Sequence, residues 1–135
     1  MSHFTRVRTA LREPDLLAAA LTAVGFAEVE VHDTPQTLYG YLGDARPERA
    51  EVIIRRRHLG RSSNDIGFVR RADGTFEAIV SQYDRDRYGA AWLEEVARAY
   101  GYAATVRYAE THGFEIATDE VDRDGTRRIT LRRAV

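Results

Sequence analysis

Cysteine is absent from this sequence and so is lysine: all 20 of its basic residues are arginine. Without cysteine the chain has no disulfide, no thiol nucleophile and no zinc ribbon, which suits a reducing compartment. Without lysine, Schiff-base and lysine-nucleophile mechanisms fall away. Long apolar runs are missing as well. No stretch approaches the roughly 20 consecutive apolar residues that cross a bilayer, and the opening MSHFTRVRTAL lacks the apolar core of a secretory signal. A soluble cytoplasmic protein is the expectation. Ser62 and Ser63 lie outside any G-x-S-x-G elbow, and neither a Walker loop nor a dinucleotide fingerprint occurs. The histidines His3, His32, His58 and His112 fall on four different predicted elements, without the spacing of a metal site. No metal and no cofactor is expected.

The 135 residues fit one domain, with 44% apolar and 30% charged residues as in an ordinary globular protein. A net charge of −1 argues against a generally basic, nucleic-acid-coating surface. The segment SHFTRVRTAL reads as a first strand. DLLAAALTAVGF reads as a short amphipathic helix, with Pro14 in its first turn and Gly25 just past its end. AEVEVHD alternates Val29 and Val31 against Glu28, Glu30 and His32, the pattern of a strand with one wet face. TPQTLYGYLGDARPERA reads as an irregular connection with a short strand at Thr37 to Leu42.

Three more strands follow, EVIIRRRH, DIGFVRRA and TFEAIVSQY. LGRSSN is read as a longer mobile loop, and Asp73-Gly74 as a two-residue turn of the type I′ kind. The longest helix, GAAWLEEVARAYGYAATVRYAETHG, aligns Trp92, Val96, Ala99, Ala103 and Val106 on one face. A terminal hairpin, FEIATDEV and TRRITLRRA around the turn DRDG, completes the chain. The fold class expected is α+β: a two-layer, mainly antiparallel sheet of six to seven strands with two helices on one face. The recurrence of helix, Gly-Phe and acidic strand in TAVGFAEVEV and ETHGFEIATDEV hints at two strand-helix-strand-strand halves.

Candidate chemistry is local. Asn64 and Asp65 end a loop where Ile66 begins a strand, so Asp65 is either a carboxylate fixed at the sheet edge or part of an Asx-type turn. Arg55, Arg56, Arg57, Arg61, Arg70 and Arg71 would form a basic strip able to bind a nucleic acid, unless they pair with Asp119, Glu120, Asp122 and Asp124 of the terminal hairpin. In SQYDRDRYG, Tyr83 and Tyr88 with Asp84 and Arg85 offer a protein-binding edge, since Tyr combines rigid area with a polar tip. Asp84 or Asp86 would also suit the N-terminal dipole of the long helix. His112 is placed to cap that helix at its other end, and His32 is expected in solvent. An enzymatic reading would need His3, Asp65, Tyr83 and Asp84 to converge.

Taken in order, SHFT, AEVIIRR, DIGF, GTFEAIV and HGFEIATDEVDRDGTRRITLRR resemble the hypothetical chloroplast reading frame 35 family, also classed as domain of unknown function 1257. The family occurs in cyanobacteria, some plastids and other bacteria. Ser2, His3, Phe4, Asp65, Ile66, Gly67, Phe68, Gly113 and Phe114 match its pattern. The resemblance implies a small protein without an assigned activity or catalytic residues, in an accessory or adaptor role beside an AAA-type ATPase or a ferredoxin-like protein. SQYDRDRYG departs from the family pattern, being longer and more charged than the acidic-aromatic stretch of the form ADWWG found there.

Overall fold

The fold alternates short strands with two helices, and its turns follow directly from the residues that form them. The computed structural model describes residues 3–134. In chain order the elements are β1 (Phe4–Arg8), α1 (Pro14–Ala23), β2 (Glu30–Tyr39), β3 (Ala45–Ile54), β4 (Ile66–Arg70), β5 (Phe76–Ser81), α2 (Ala90–His112), β6 (Phe114–Val121) and β7 (Arg127–Arg133), with 3₁₀ turns at Arg56–His58 and Gln82–Asp86. Strands β1 to β5 form an antiparallel sheet in the order β1-β5-β4-β3-β2, and β6 pairs only with β7. The protein is therefore α+β. No helix among the described residues is long and apolar enough to cross a membrane.

Helix α1 starts at Pro14, whose missing N–H costs nothing in a first turn. It stops at Gly25, where φ is +120°. There the Gly25 N–H bonds to Thr22 O and the Phe26 N–H to Leu21 O, a Schellman closure that turns Phe26 back towards the core. Leu16, Leu17, Ala20 and Leu21 are buried. Strand alternation supplies the opposing layer: Val52, Ile54, Ile66, Phe68, Phe76, Ala78 and Val80 face the helices, where Trp92 and Val96 of α2 join them. Each large side chain so buried contributes about 1.5–3 kcal/mol relative to exposure.

The reverse face of the sheet carries a smaller cluster, Leu38, Ala50, Ile53 and Ile79. The pairing of β2 with β3 slips between Val31 and Gln36 and again between Thr37 and Tyr39. Leu38 and Ala50 thereby come to lie over Gly67: an added Cβ there would sit 2.7 Å from Ala50 Cβ. The DIGF glycine is required by this close approach rather than by an unusual φ.

Four expectations need correction. The supposedly irregular connection after His32 is the body of a long bulged hairpin, β2 and β3, because slips in the pairing absorb Pro35 and Pro47 without ending the ladder and Gly40 and Gly43 form its turn. The strand expected through EVIIRRRH ends at Ile54, and Arg56–His58 forms a 3₁₀ turn. The loop LGRSSN is not a loose excursion, since Ser63 and Asn64 are buried. The Asp73-Gly74 turn is not type I′, because no described residue other than glycine has positive φ. Instead Arg71 and Gly74 close it through Arg71 N–H to Thr75 O and Gly74 N–H to Arg71 O, with Asp73 accepting from the Thr75 N–H. The same bonds recur at Asp122, Asp124, Gly125 and Thr126.

The seven strands also divide into five and two rather than sharing one sheet. Gly113, at φ +72°, ends α2 and reverses the chain at once, so β6 runs back beside the helix. Over 23 residues α2 spans about 34 Å, and its distal half lies along α1, where Arg107 bonds to Asp15. The expected strand-helix-strand-strand halves are not established: β1-α1-β2-β3 and β5-α2-β6-β7 share an element order, with β4 between them. The two hairpins are placed differently, however, one inside the sheet and one apart from it.

Candidate functional site

The pairing register gathers residues far apart in sequence at one end of the five-stranded sheet. Phe4 opens β1 opposite Ser81, the last residue of β5. Ile66 opens β4 opposite Ile54, the last residue of β3, and Glu30 opens β2 opposite Ile53. The His3 carbonyl accepts the Gln82 N–H at 2.7 Å. Of the candidate positions, Ser2 lies outside the described residues.

Asp65 is the centre of this end. It is 1% exposed. Its Oδ1 accepts the Arg56 N–H at 2.7 Å, and its Oδ2 accepts both the Tyr39 N–H and Arg55 Nη1 at 2.8 Å. One carboxylate so ties the end of β2 and the turn after β3 to the start of β4. Because its backbone donors are distant in sequence, this is a clamp between segments and not a local Asx turn. Arg55 continues the network with a two-pronged bond to Glu30 at 2.8 and 2.9 Å and a bond to Thr37 O. The Arg55 guanidinium holds the Glu30 carboxyl down at about 2, burial opposing and His32 assisting. His32 is accordingly not free in solvent: its ring bonds to Glu30 Oε1 at 2.8 Å.

A second buried cluster adjoins the first. Asp84 Oδ2 accepts from Asn64 N, Asn64 Nδ2 and Ser81 Oγ at 3.0, 3.1 and 2.8 Å, while Ser81 Oγ receives the Asp84 N–H. Asn64 Oδ1 reaches across to the Tyr41 N–H at 2.8 Å. The motif SNDIGF and the start of SQYDRDRYG are therefore one structure, with Asn64 and Asp65 pointing their side chains into two separate sets of bonds. Burying such groups is tolerable because their donors and acceptors are matched.

Over this floor the loops at 59–63 and 82–87 enclose an open cleft of about 580 Å³, lined by Arg61, Ser62, Ser63, Gln82, Tyr83, Asp84, Asp86 and Arg87 among others. Tyr83 stands at 61% exposure on its rim. Tyr88 does not join it there: it is buried in an aromatic set, 5.3 Å from Trp92 and 6.0 Å from Phe26. Asp84 is 4% exposed and Arg85 bonds to Thr5 Oγ1. Of the four residues expected to form a protein-binding edge, only Tyr83 is freely presented. The chain must pass closely here, since a Cβ on Gly89 would meet Arg85 O at 2.4 Å.

The arginine set is dispersed in the same way. Besides Arg55, Arg56 is spent on carbonyls of Ser63, Tyr41 and Arg61. Arg57 lies 3.5 Å from Glu28, Arg70 stacks 5.0 Å over the Phe76 ring, and Arg71 stands 3.9 and 4.0 Å from Asp73 and Glu77. None of these partners is on the terminal hairpin, whose Asp119 and Asp122 pair with its own Arg127 and Arg128. The side chain of Arg61 is exposed at the cleft. His112, at the end of α2, bonds to Tyr108 O and stacks on the Tyr108 ring.

Residues 20–130 match the model of a protein family described as Protein of unknown function (DUF1257). The chain belongs to the DUF1257 family. It is 27% identical over 135 residues to the Uncharacterized protein ycf35 of Cyanophora paradoxa, covering 98% of both chains. No solved structure matches. The DUF1257 motif positions described here have visible physical duties. Asp65 clamps three segments, Gly67 admits Leu38 and Ala50, Phe68 packs near Trp92, and His3 and Phe4 pair with the end of β5. Sequence reasoning singled out Asn64 and Asp65 but missed Glu30, which joins the Asp65 network through Arg55, and Ser81, which joins Asn64 on Asp84. The available signal was the clustering of Ser, Asn and Asp at strand ends, where side chains compete for backbone groups.

Proposed function

We propose that this DUF1257 protein is a non-enzymatic accessory protein that binds another protein through the motif end of its sheet, at the cleft rimmed by Tyr83. The observation that carries the reading is how the two carboxylates suited to acid–base chemistry are used. Asp65 and the Oδ2 of Asp84 are buried and engaged by internal donors, which makes them a rigid floor. What reaches the mouth is an exposed Tyr with Arg61 and Arg87 beside it. Tyr and Arg are the residues that anchor protein interfaces, because each offers large area with directed polar groups.

An AAA-type ATPase and ferredoxin-like proteins, which the family resemblance suggests, are the first partners to assay by direct titration. Tyr83→Ala should weaken the complex at least about tenfold while leaving stability within about 0.5 kcal/mol of the parent, as an exposed truncation does. Tyr88→Ala, inside the aromatic set, should instead cost about 3–5 kcal/mol of folding stability. A complex indifferent to both Tyr83→Ala and Arg87→Glu would overturn the site. Salt-steep binding of RNA or DNA, abolished at Arg61 or Arg70, would favour the polyanion reading instead.

A further inference from the structure

The two edges of the five-stranded sheet are treated differently. The β2 edge is closed by its own chain: it contains Pro35, its pairing slips twice, and backbone groups of Pro35, Thr37 and Tyr39 are taken by Arg49, Arg55 and Asp65. Proline and bulges are devices that keep an edge from recruiting another strand. The β1 edge has neither. It pairs with β5, and no strand lies on its other side. The bonds from Gln82 N–H to His3 O and from Thr9 N–H to Phe76 O set the phase of that pairing. His3, Thr5, Val7 and Thr9 turn their backbone groups to β5, so Phe4, Arg6 and Arg8 turn theirs outward. Among the described residues, those outward groups have no hydrogen-bond partner.

Charge indicates what fits there. β1 carries two arginines and no acid. Arg6 and Arg8 stand two apart, which puts them on one face of the strand, and both are exposed. Arg6 shares Glu77 with Arg71, and Arg8 has no acidic partner among the described residues. The edge is therefore positive. A second copy does not suit it, because antiparallel pairing of β1 with itself about Arg6 or Val7 sets Arg opposite Arg. An extended acidic segment does: acids two apart fall opposite Arg6 and Arg8, and the residue between them turns to the other face beside Val7. We propose that β1 is a docking edge for an extended segment of a partner protein with Asp or Glu at alternate positions, which adds to the sheet as a further strand. Main-chain bonds hold the segment and the two arginines select its charge. This edge is separate from the Tyr83 cleft and needs no part of it.

The test uses the full chain and a synthetic peptide of alternating Glu and Val, with amide hydrogen exchange read by NMR. In the free protein the Thr5 and Val7 amides should be protected by β5, while those of Phe4, Arg6 and Arg8 exchange freely. The peptide at about 1 mM should protect these last three. An alternating Arg-Val peptide should bind at least about tenfold more weakly, as should the Glu-Val peptide to Arg8→Glu, a change at an exposed position. Arg6→Pro removes an outward N–H without removing a bond to β5, and should abolish protection at Phe4 and Arg8. If that variant disturbs β1, a Glu-Val peptide methylated at alternate backbone nitrogens applies the same block from the other side. Tyr83→Ala should leave peptide affinity unchanged. A Glu-Val peptide that protects none of the three amides overturns the proposal, and so does binding that is equal for both peptides, undiminished by Arg8→Glu or lost with Tyr83→Ala.

Discussion

Replacing Asp65 by Asn keeps the shape of the clamp and removes its charge. The carboxylate accepts two backbone N–H groups and one guanidinium N–H within 2.7–2.8 Å, at 1% exposure. In the variant one acceptor oxygen becomes an NH₂ group, which must face at least one of those donors. A lost hydrogen bond to a charged group costs about 1.5–3 kcal/mol, and a stranded buried donor about 1–3 kcal/mol more. The expected loss of roughly 3–5 kcal/mol agrees with what breaking one side of a buried ion pair costs. Against a total stability of about 5–15 kcal/mol for a domain, that is a large fraction. Urea unfolding followed by Trp92 fluorescence measures it, since Trp92 packs 6.3 Å from Phe68 on the strand that Asp65 introduces. The midpoint should fall without a change of slope. A loss below about 1 kcal/mol would refute the clamp, because no buried, triply engaged carboxylate should be that cheap to neutralise. A double-mutant cycle with Arg55→Met isolates the charged bond from the two backbone bonds.

Two further outcomes follow from the same end of the fold. Gly67→Ala places a methyl group 2.7 Å from Ala50 Cβ and 3.0 Å from both Leu38 δ-carbons; overpacking of this kind costs about 1–3 kcal/mol, a fall in melting temperature of roughly 5–10 °C, and an unchanged melting temperature would contradict the close approach. The Arg55 guanidinium holds the Glu30 carboxyl down at about 2 in the folded protein against its ordinary 4.5, so the unfolded chain binds the proton more readily and Glu30 contributes stability that is complete above pH 4.5 and disappears as pH falls towards 2. Its carboxylate is one-third exposed, so solvent screening limits the effect to about 1 kcal/mol. Glu30→Gln should flatten the acid limb of stability against pH, and an identical limb in both proteins would count against the Arg55 bond.

Much of the architecture was legible from residue order. Both helices, their Gly stops and the terminal hairpin follow from periodicity and from glycine's freedom at Gly25 and Gly113. The β2–β3 hairpin was not, because its bulges break the alternation that marks a strand, with Val31 exposed and the slip falling just beyond it. The candidate site was half visible. Asp65 stands out as an acid at the head of a strand, but whether it binds a ligand, forms a local turn or clamps remote segments depends on Tyr39 and Arg56, which adjacency in sequence does not connect to it. Tyr83 and Tyr88 show the same limit, since they share one short stretch while one is exposed and the other buried.

What the sequence by itself determined was the set of local elements, the α+β class and the family, all of which rest on short-range spacing and on the order of motifs along the chain. Only the tertiary structure decided which of those motifs meet. Antiparallel register brings His3, Asp65 and Ser81 to one end of the sheet and carries β6 and β7 away from it. Those placements depend on side chains bonding across dozens of intervening residues, and such contacts acquire an energy only when the chain has folded.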